Sequence, residues 1–186
     1  MNPFAQLIDV LVGLYIMVVL LRFFLQYFRA DFYNPLSQFV IKATDPLVKP
    51  LRKIIPGLGG IDLSTLILAY LIILAKFYLL LAISGQLSSN IIFIVFLAVV
   101  ELMESILGLF MYMIFIRIIL SWISPGGHNP MLAVIGQISE PVISMFRRIL
   151  PPMSGFDFAP MLALIMIYFL QNSLNYYIKP IIYQLA

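Results

Sequence analysis

The hydrophobic positions of this chain fall into long runs, and most polar positions gather between them. Apolar residues dominate Leu7–Phe28, Ile61–Ile83, Ile91–Ile123 and Phe158–Ile178. None of these runs alternates with period two, and each offers about the 20 residues that cross a hydrocarbon core as a helix. Lipid gives backbone groups no partners, so such runs predict helices. Spans are expected over about 7–28, 61–83, 99–123 and 158–178.

Two stretches, 31–56 and 128–152, break the apolar pattern. The first reads "DFYNPLSQFVIKATDPLVKPLRKIIP", with four prolines and, counting Arg29, five positive charges. Within it Leu36, Phe39, Val40, Ala43 and Leu47 follow helical spacing. Met131, Val134, Ile135, Ile138 and Val142 do the same in the second. Each stripe predicts an amphipathic helix too short to span, lying in the interface or under the bundle. Asn34-Pro35 and Asn129-Pro130 are helix starts, because asparagine caps free N–H groups and proline suits the first helical position. Asp45-Pro46 and Glu140-Pro141 predict a bend and a restart, because the residue before a proline is biased out of the α region. Pro56 and Pro151 close the segments. Each stretch is therefore expected as a hairpin of two short helices. The first should be the less regular, because Pro50 has no counterpart.

Shifting the chain by 95 residues against itself aligns its rare polar residues. Arg22 falls on Arg117, Asn34-Pro35 on Asn129-Pro130, and Asp45-Pro46 on Glu140-Pro141. Arg52-Lys53 falls on Arg147-Arg148, Pro56 on Pro151 and Asp62 on Asp157. From Arg22 to Asp62 the register needs no gap, and 10 of 41 positions are identical. Apolar composition alone would not align prolines and charges, so the chain reads as an internal duplication. The expected units are 1–90 and 91–186, each span, basic hairpin, span. Glu101–Trp122 corresponds to Gln6–Tyr27, which leaves Ile91–Val100 as additional linker, either an extension of the third span or a separate interfacial segment. The units run parallel, so the inverted repeat that points to many secondary transporters is missing.

Composition supports the bilayer as solvent. The chain has 186 residues, 63% hydrophobic and 10% charged, with a mean hydropathy of +1.07. Ordinary soluble domains carry about 25% charged residues. There is no cysteine and one histidine, His128, so thiolate chemistry and multi-histidine metal sites are excluded and no cofactor is expected. The first positive charge, Arg22, follows the first apolar run, which reads as a span and not a cleavable signal. Arg29, Lys42, Lys49, Arg52, Lys53, Arg147 and Arg148 all lie in the two basic segments. The positive-inside rule therefore places those segments in the cytoplasm and both termini outside, with Lys179 as a contrary charge.

No Gly-rich phosphate loop and no serine–histidine set is present, so the chain is not expected to be an enzyme. Its basic residues are few and lie against lipid, which excludes nucleic acid as an expected partner. Ionisable residues within spans are costly and are candidates for function. Arg22 and Arg117 could clasp Asp62 and Asp157 at the cytoplasmic side. Toward the outer side sit Asp9, Lys76, Glu101, Glu104, Gln171 and Asn172, with Lys76 placed to pair with Asp9 or Glu104. That cluster reads either as satisfied interhelical polar contacts or as a path for an ion. Arg52-Lys53 and Arg147-Arg148 read either as topology signals or as ligands for anionic lipid headgroups. Trp122, Tyr176 and Tyr177 have the character of interfacial anchors.

The N-P, [TS]-[DE]-P and R-[RK]-[IL]-[LI]-P signals and the following aspartate recur in both units. With "GLGGIDLSTLILAYLI" and "NPMLAVIGQISEPVISMFRRILPPMSGFDFAPMLAL", they strongly resemble the YggT family of bacterial membrane proteins over almost the whole chain. The resemblance implies a multi-pass protein of the bacterial inner membrane. It also implies links to osmotic stress and potassium uptake, to cell division and envelope morphology, and, through plastid relatives, to cytochrome maturation and nucleoid distribution. It supplies no catalytic residues. The expected function is a non-enzymatic scaffold or assembly factor whose basic hairpins meet lipid or an unidentified membrane or cytoplasmic protein. The alternative is a small channel or transporter component, working as a homo-oligomer, in osmotic or potassium balance.

Overall fold

The computed structural model describes residues 2–57, 59–85, 90–123, 130–153 and 157–184, the side chain of Trp122 excepted. The elements are α1 (Pro3–Tyr27), α2 (Pro35–Ile54), α3 (Leu63–Ser84), α4 (Ile91–Ile123), α5 (Pro130–Arg147) and α6 (Ala159–Ser173). A single π turn, Leu174–Ile178, joins α6 to the short α7 (Lys179–Tyr183). The protein is all-helical among the described residues. Four stretches are long and apolar enough to cross a membrane: Pro3–Tyr27, Leu63–Ser84, Ile91–Ser121 and Ala159–Tyr183. The fourth combines α6, the π turn and α7, and so runs five residues past the expected end at Ile178.

Residues 91–100 are not a separate segment. They form the first turns of α4, whose 33 residues reach ~50 Å at 1.5 Å per residue. Burial explains the continuity, because Ile94, Ala98 and Val100 are all buried. The Tyr70 hydroxyl of α3 also donates to the Val95 carbonyl at 3.1 Å.

The expected hairpins are not formed either. α2 runs unbroken through Pro46 and Pro50, and α5 through Pro141. Pro50 does not make the first unit less continuous. An interior proline costs about 3 kcal/mol in an isolated helix, but here tertiary contacts offset that cost. Ser37, Val40, Thr44 and Val48 bury one face of α2, and Val134, Ile135, Ile138, Ser139 and Ile143 bury the matching face of α5. Splitting either helix at its proline would split that face. The helix starts do follow the sequence where they are described. Asn34 accepts from Leu36 N–H at 3.0 Å with Pro35 as the first helical residue. Asn129 and His128 lie outside the described residues.

In the first unit α1 packs on both α2 and α3, and α2 packs on α3. In the second α4 packs on both α5 and α6, and α5 packs on α6. The units meet through α1 against α4 and α2 against α5. Phe24 and Phe110 join the two central helices edge to face, with ring centroids 4.7 Å apart. The pseudo-symmetry is incomplete: α3 also packs on α4, whereas no described residue of α6 reaches α1. The outward faces are apolar, as with Leu7, Val10, Leu11 and Leu14 on α1 and Ile165 and Phe169 on α6. A bilayer, which is itself apolar, removes the cost of leaving them exposed.

Candidate functional site

Two polar constellations sit at opposite ends of the bundle. At the basic end, each unit ties its amphipathic helix to its spans with the same residues. Arg22, buried near the end of α1, donates through Nη1 to Thr44 Oγ1 at 2.7 Å and to the Ile41 carbonyl at 3.2 Å. The same nitrogen lies 2.8 Å from the Asp45 carboxylate. Pro46 leaves the Lys42 carbonyl without its helical donor; Arg22 bonds the carbonyl before it, that of Ile41, and so ties this turn to α1. Arg117 repeats the arrangement, with Nη1 donating to Ser139 Oγ at 3.0 Å and Nη2 lying 2.6 Å from Glu140.

The expected clasp of Arg22 and Arg117 with Asp62 and Asp157 is therefore corrected. The aspartates are taken by Arg52 and Arg147 instead. Arg52 Nη2 pairs with Asp62 and also donates to Gln26 Oε1 at 2.7 Å. Arg147 holds Asp157 through Nε at 3.0 Å and Nη2 at 2.7 Å. The reason is geometric. Arg22 and Arg117 face the middle of α2 and α5, whereas Arg52 and Arg147 end those helices beside the start of the next span. Asp62 also serves as N-cap of α3 through Thr65, and Asp157 accepts from Ala159 N–H at 3.0 Å. Asp45 and Glu140 do not cap restarted helices. They are ion-pair partners inside continuous ones.

These carboxylates are held below their usual range. Lys49 first and then Arg22 lower Asp45 against the opposing effect of burial. Burial pushes Asp62 up, but hydrogen bonds from Arg52 and Thr65 outweigh it. Burial likewise opposes, without overcoming, Arg117 and Arg147 at Glu140, and Arg147 at Asp157.

The units differ in one respect. Glu140 reaches both Arg117 and Arg147. Asp45 is one methylene shorter; it pairs with Arg22 and Lys49, and Arg52 is left to Asp62 and Gln26. Arg52 and Arg147 are thus structural in this arrangement. Their neighbours Lys53 and Arg148 are exposed and make no ion pair among the described residues.

At the far end, Lys76 on α3 is buried between Asp9 on α1 and Glu101 on α4, 2.9 Å from each. Glu104 does not join it. It lies 2.8 Å from Lys179, a residue the sequence reading treated only as a stray charge. Gln171 Nε2 points to the Glu104 carbonyl at 3.5 Å, while Asn172 is exposed and makes none of the cluster's contacts. Two features hid Lys179: it is offset from the repeat equivalent of Lys76, and the π turn before it resets its helical phase. Asp9, Gly13, Glu101, Glu104 and Gly108 line a shallow groove of about 300 Å³ between α1 and α4. Among the described residues no group of His, Cys, Asp or Glu side chains is placed to hold a metal ion.

Fold and polar sites together define a class: a four-span helical membrane protein of two tandem units, each pinning an amphipathic helix between its spans by paired arginines and acids. Comparison with known proteins supplies the family. The CCB3/YggT model matches twice, over residues 1–83 and 96–178, two segments offset by the same 95 residues as the internal repeat. The chain belongs to the CCB3/YggT family. It is 43% identical over 187 aligned positions to an uncharacterized protein from the proC 3′ region of Vibrio alginolyticus, covering the whole of both chains. It is 43% identical to the uncharacterized protein PA0392 of Pseudomonas aeruginosa, over 84% of this chain and 80% of that one. It is 38% identical to the uncharacterized protein YggT of Escherichia coli K12, over 90% of this chain and 87% of that one. None of these descriptions states an enzymatic activity. No solved structure matches the chain.

Proposed function

We propose that the protein is a non-enzymatic scaffold or assembly factor of the bacterial inner membrane, its basic end in the cytoplasm and both termini outside. The observation that carries this reading is the division of labour among the basic residues. In each unit the first arginine of the doublet is spent on an aspartate. The second basic residue and the isoleucine after it stand free: Lys53-Ile54 and Arg148-Ile149. Ile54 and Ile149 are 77% and 72% exposed at repeat-equivalent corners. Two rigid helices thus present two matched basic–apolar corners to lipid headgroups and a partner protein. A photo-crosslinking residue at Ile54 or Ile149 in the membrane should capture a discrete partner. The reversal Lys53→Glu with Arg148→Glu should abolish capture while the protein still inserts. No discrete partner, or capture indifferent to the reversal, rules the scaffold out.

A second reading is favoured by one atom. Glu104 Oε1 is buried and has no hydrogen-bond partner among the described residues, beside the groove between α1 and α4. Three acids and two lysines at the far end leave one negative charge over, which suits a cation path in a channel or transporter component. Purified protein in liposomes would then pass potassium or another monovalent cation, and Glu104→Gln would change the flux. No flux for any of these ions eliminates this reading.

A further inference from the structure

We infer that the first unit alone holds a binding site for a phosphate-bearing anion, in the cavity between the basic end of α1 and α2. The cavity has a volume of about 460 Å³, within the roughly 300–1,000 Å³ of small-molecule sites. Arg22, Arg29 and Arg52 line it together with Gln26 and Ser37, and among the described residues no carboxylate does.

The guanidinium groups are only partly used. Among the described residues every hydrogen bond and ion pair of Arg22 runs through Nη1, although the residue is only 6% exposed. Its Nε and Nη2 edge is left for the cavity it lines. Arg52 likewise spends only Nη2, on Asp62 and Gln26. Arg29 makes no ion pair among the described residues. Two edges of this kind and one free cation suit an anion that accepts several hydrogen bonds at once, which is the chemistry of a phosphate group.

The second unit supplies the contrast. Arg147 uses Nε, Nη1 and Nη2 on Glu140 and Asp157, and Arg117 uses both Nη1 and Nη2. Gln26, Arg29 and Ser37 correspond to Ser121, Ser124 and Leu132. Duplication has left the fold's fastening in both copies and the surplus positive charge in one.

The backbone at Arg29 argues the same way. Ala30 N–H donates to the Leu25 carbonyl and Arg29 N–H to the Gln26 carbonyl, the double closure that ends a helix on a left-handed residue. Arg29 is that residue, with φ 52°, and it is the only non-glycine with positive φ among the described residues. Glycine would fill the position without strain. An arginine there places its charge beside the cavity at a conformational cost.

The anion is either the phosphodiester of an anionic lipid or free phosphate. This site goes beyond the scaffold reading, and it stands even if no partner protein is captured. The test is calorimetric titration of the full chain in detergent with three probes: dihexanoylphosphatidylglycerol, dihexanoylglycerol, which has the same chains without phosphate, and inorganic phosphate. The expected result is saturable one-to-one binding of phosphatidylglycerol and none of the diacylglycerol. Arg29→Gly should weaken binding at least about fivefold, the weight of roughly one charge near an anionic group, and Lys42→Ala, which removes an exposed charge of the same segment outside the cavity, should leave it unchanged. Arg29→Gly relieves the left-handed strain, so its melting point should not fall. Should it fall, Gln26→Glu, which sets a carboxylate against Arg52 inside the cavity, replaces it. The same pattern with inorganic phosphate and no preference for the lipid assigns the site to free phosphate. Binding of neither phosphate probe, binding indifferent to Arg29→Gly and Gln26→Glu, or equal weakening by Lys42→Ala overturns it.

Discussion

Arg22 Nη1 lies 2.8 Å from the Asp45 carboxylate, so a cation on the first span rests on the acid that immediately precedes a proline in the middle of α2. The pair joins elements that helix propensity alone would have separated. Removing one partner of a buried pair costs more than the pair contributes, because the other charge stays behind. Here Asp45 keeps Lys49, so the loss falls on the charge-assisted bonds of the buried Arg22 to Thr44, the Ile41 carbonyl and Asp45. Arg22→Met should lower unfolding stability by about 2 kcal/mol. Glu140, the acid left behind in the second unit, is 39% exposed and still paired with Arg147, so Arg117→Met should cost only about 1 kcal/mol. Unfolding in mixed detergent micelles would measure both. Equal losses would show that the symmetry of contacts carries over into symmetry of energy.

Asp62 combines an N-cap and an ion pair in one buried carboxylate. Asp62→Ala should cost about 1–2 kcal/mol through the lost cap. Arg52 is 40% exposed and can turn to water, so loss of its partner adds little. Asp62→Asn keeps a capping oxygen and should recover most of the loss. If alanine and asparagine are equally damaging, the charge and not the cap dominates.

The four depressed carboxylates set an acid limit. Asp45, Asp62, Glu140 and Asp157 all titrate below their ordinary values of 3.8 for aspartate and 4.5 for glutamate. The unfolded chain therefore binds protons first as pH falls. The stabilisation is fully present above the ordinary carboxylate range and is lost progressively as pH drops through the lower folded values. The melting temperature should be flat from about pH 7 to pH 5 and decline below about pH 4. Glu140→Gln with Asp157→Asn should flatten that decline.

The spans, the duplication and the capping residue Asn34 were legible because rare polar residues recur in register and obey local rules. What the sequence hid was tertiary in origin. Asp45-Pro46 reads locally as a break, yet Arg22 and the buried Val40 and Val48 hold the helix through it. The pairing of Asp62 with Arg52, ten residues upstream, depends on the direction in which α2 carries its last turn, and the expected bend at Pro46 would have changed that direction. Lys179 was misread because a π turn shifts its phase by about one residue relative to an unbroken helix.

Lys76 sits between two acids in the apolar half of the bundle, only 5% exposed. Lys76→Met leaves Asp9 and Glu101 without a counter-charge and should destabilise by about 2–3 kcal/mol. Adding Glu101→Gln removes one of the stranded charges and should restore part of the loss. A coupling energy near zero in that cycle would mean that the lysine packs beside Glu101 without depending on it.

Topology can be tested directly because the chain has no cysteine. Ser37 lies in one of the basic segments but is buried at 1% exposure and would not react. Tyr33, 86% exposed just before α2, is the better reporter of the basic end. Gln184, exposed after α7, reports the other end. The positive-inside rule counts lysine and arginine near span ends, and the basic segments hold Arg29, Lys42, Lys49, Arg52, Lys53, Arg147 and Arg148 against Lys179 at the far end. In intact cells an impermeant maleimide should therefore label Gln184→Cys and not Tyr33→Cys, and membrane disruption should open the second. Lys53 and Arg148, like Arg29 and Lys42, make no ion pair among the described residues. Reversing them while Arg22, Arg52, Arg117 and Arg147 remain should leave the labelling pattern unchanged, because paired arginines still count before folding, when insertion is decided. Labelling of Tyr33→Cys from outside would invert the orientation and move both basic helices to the outer face.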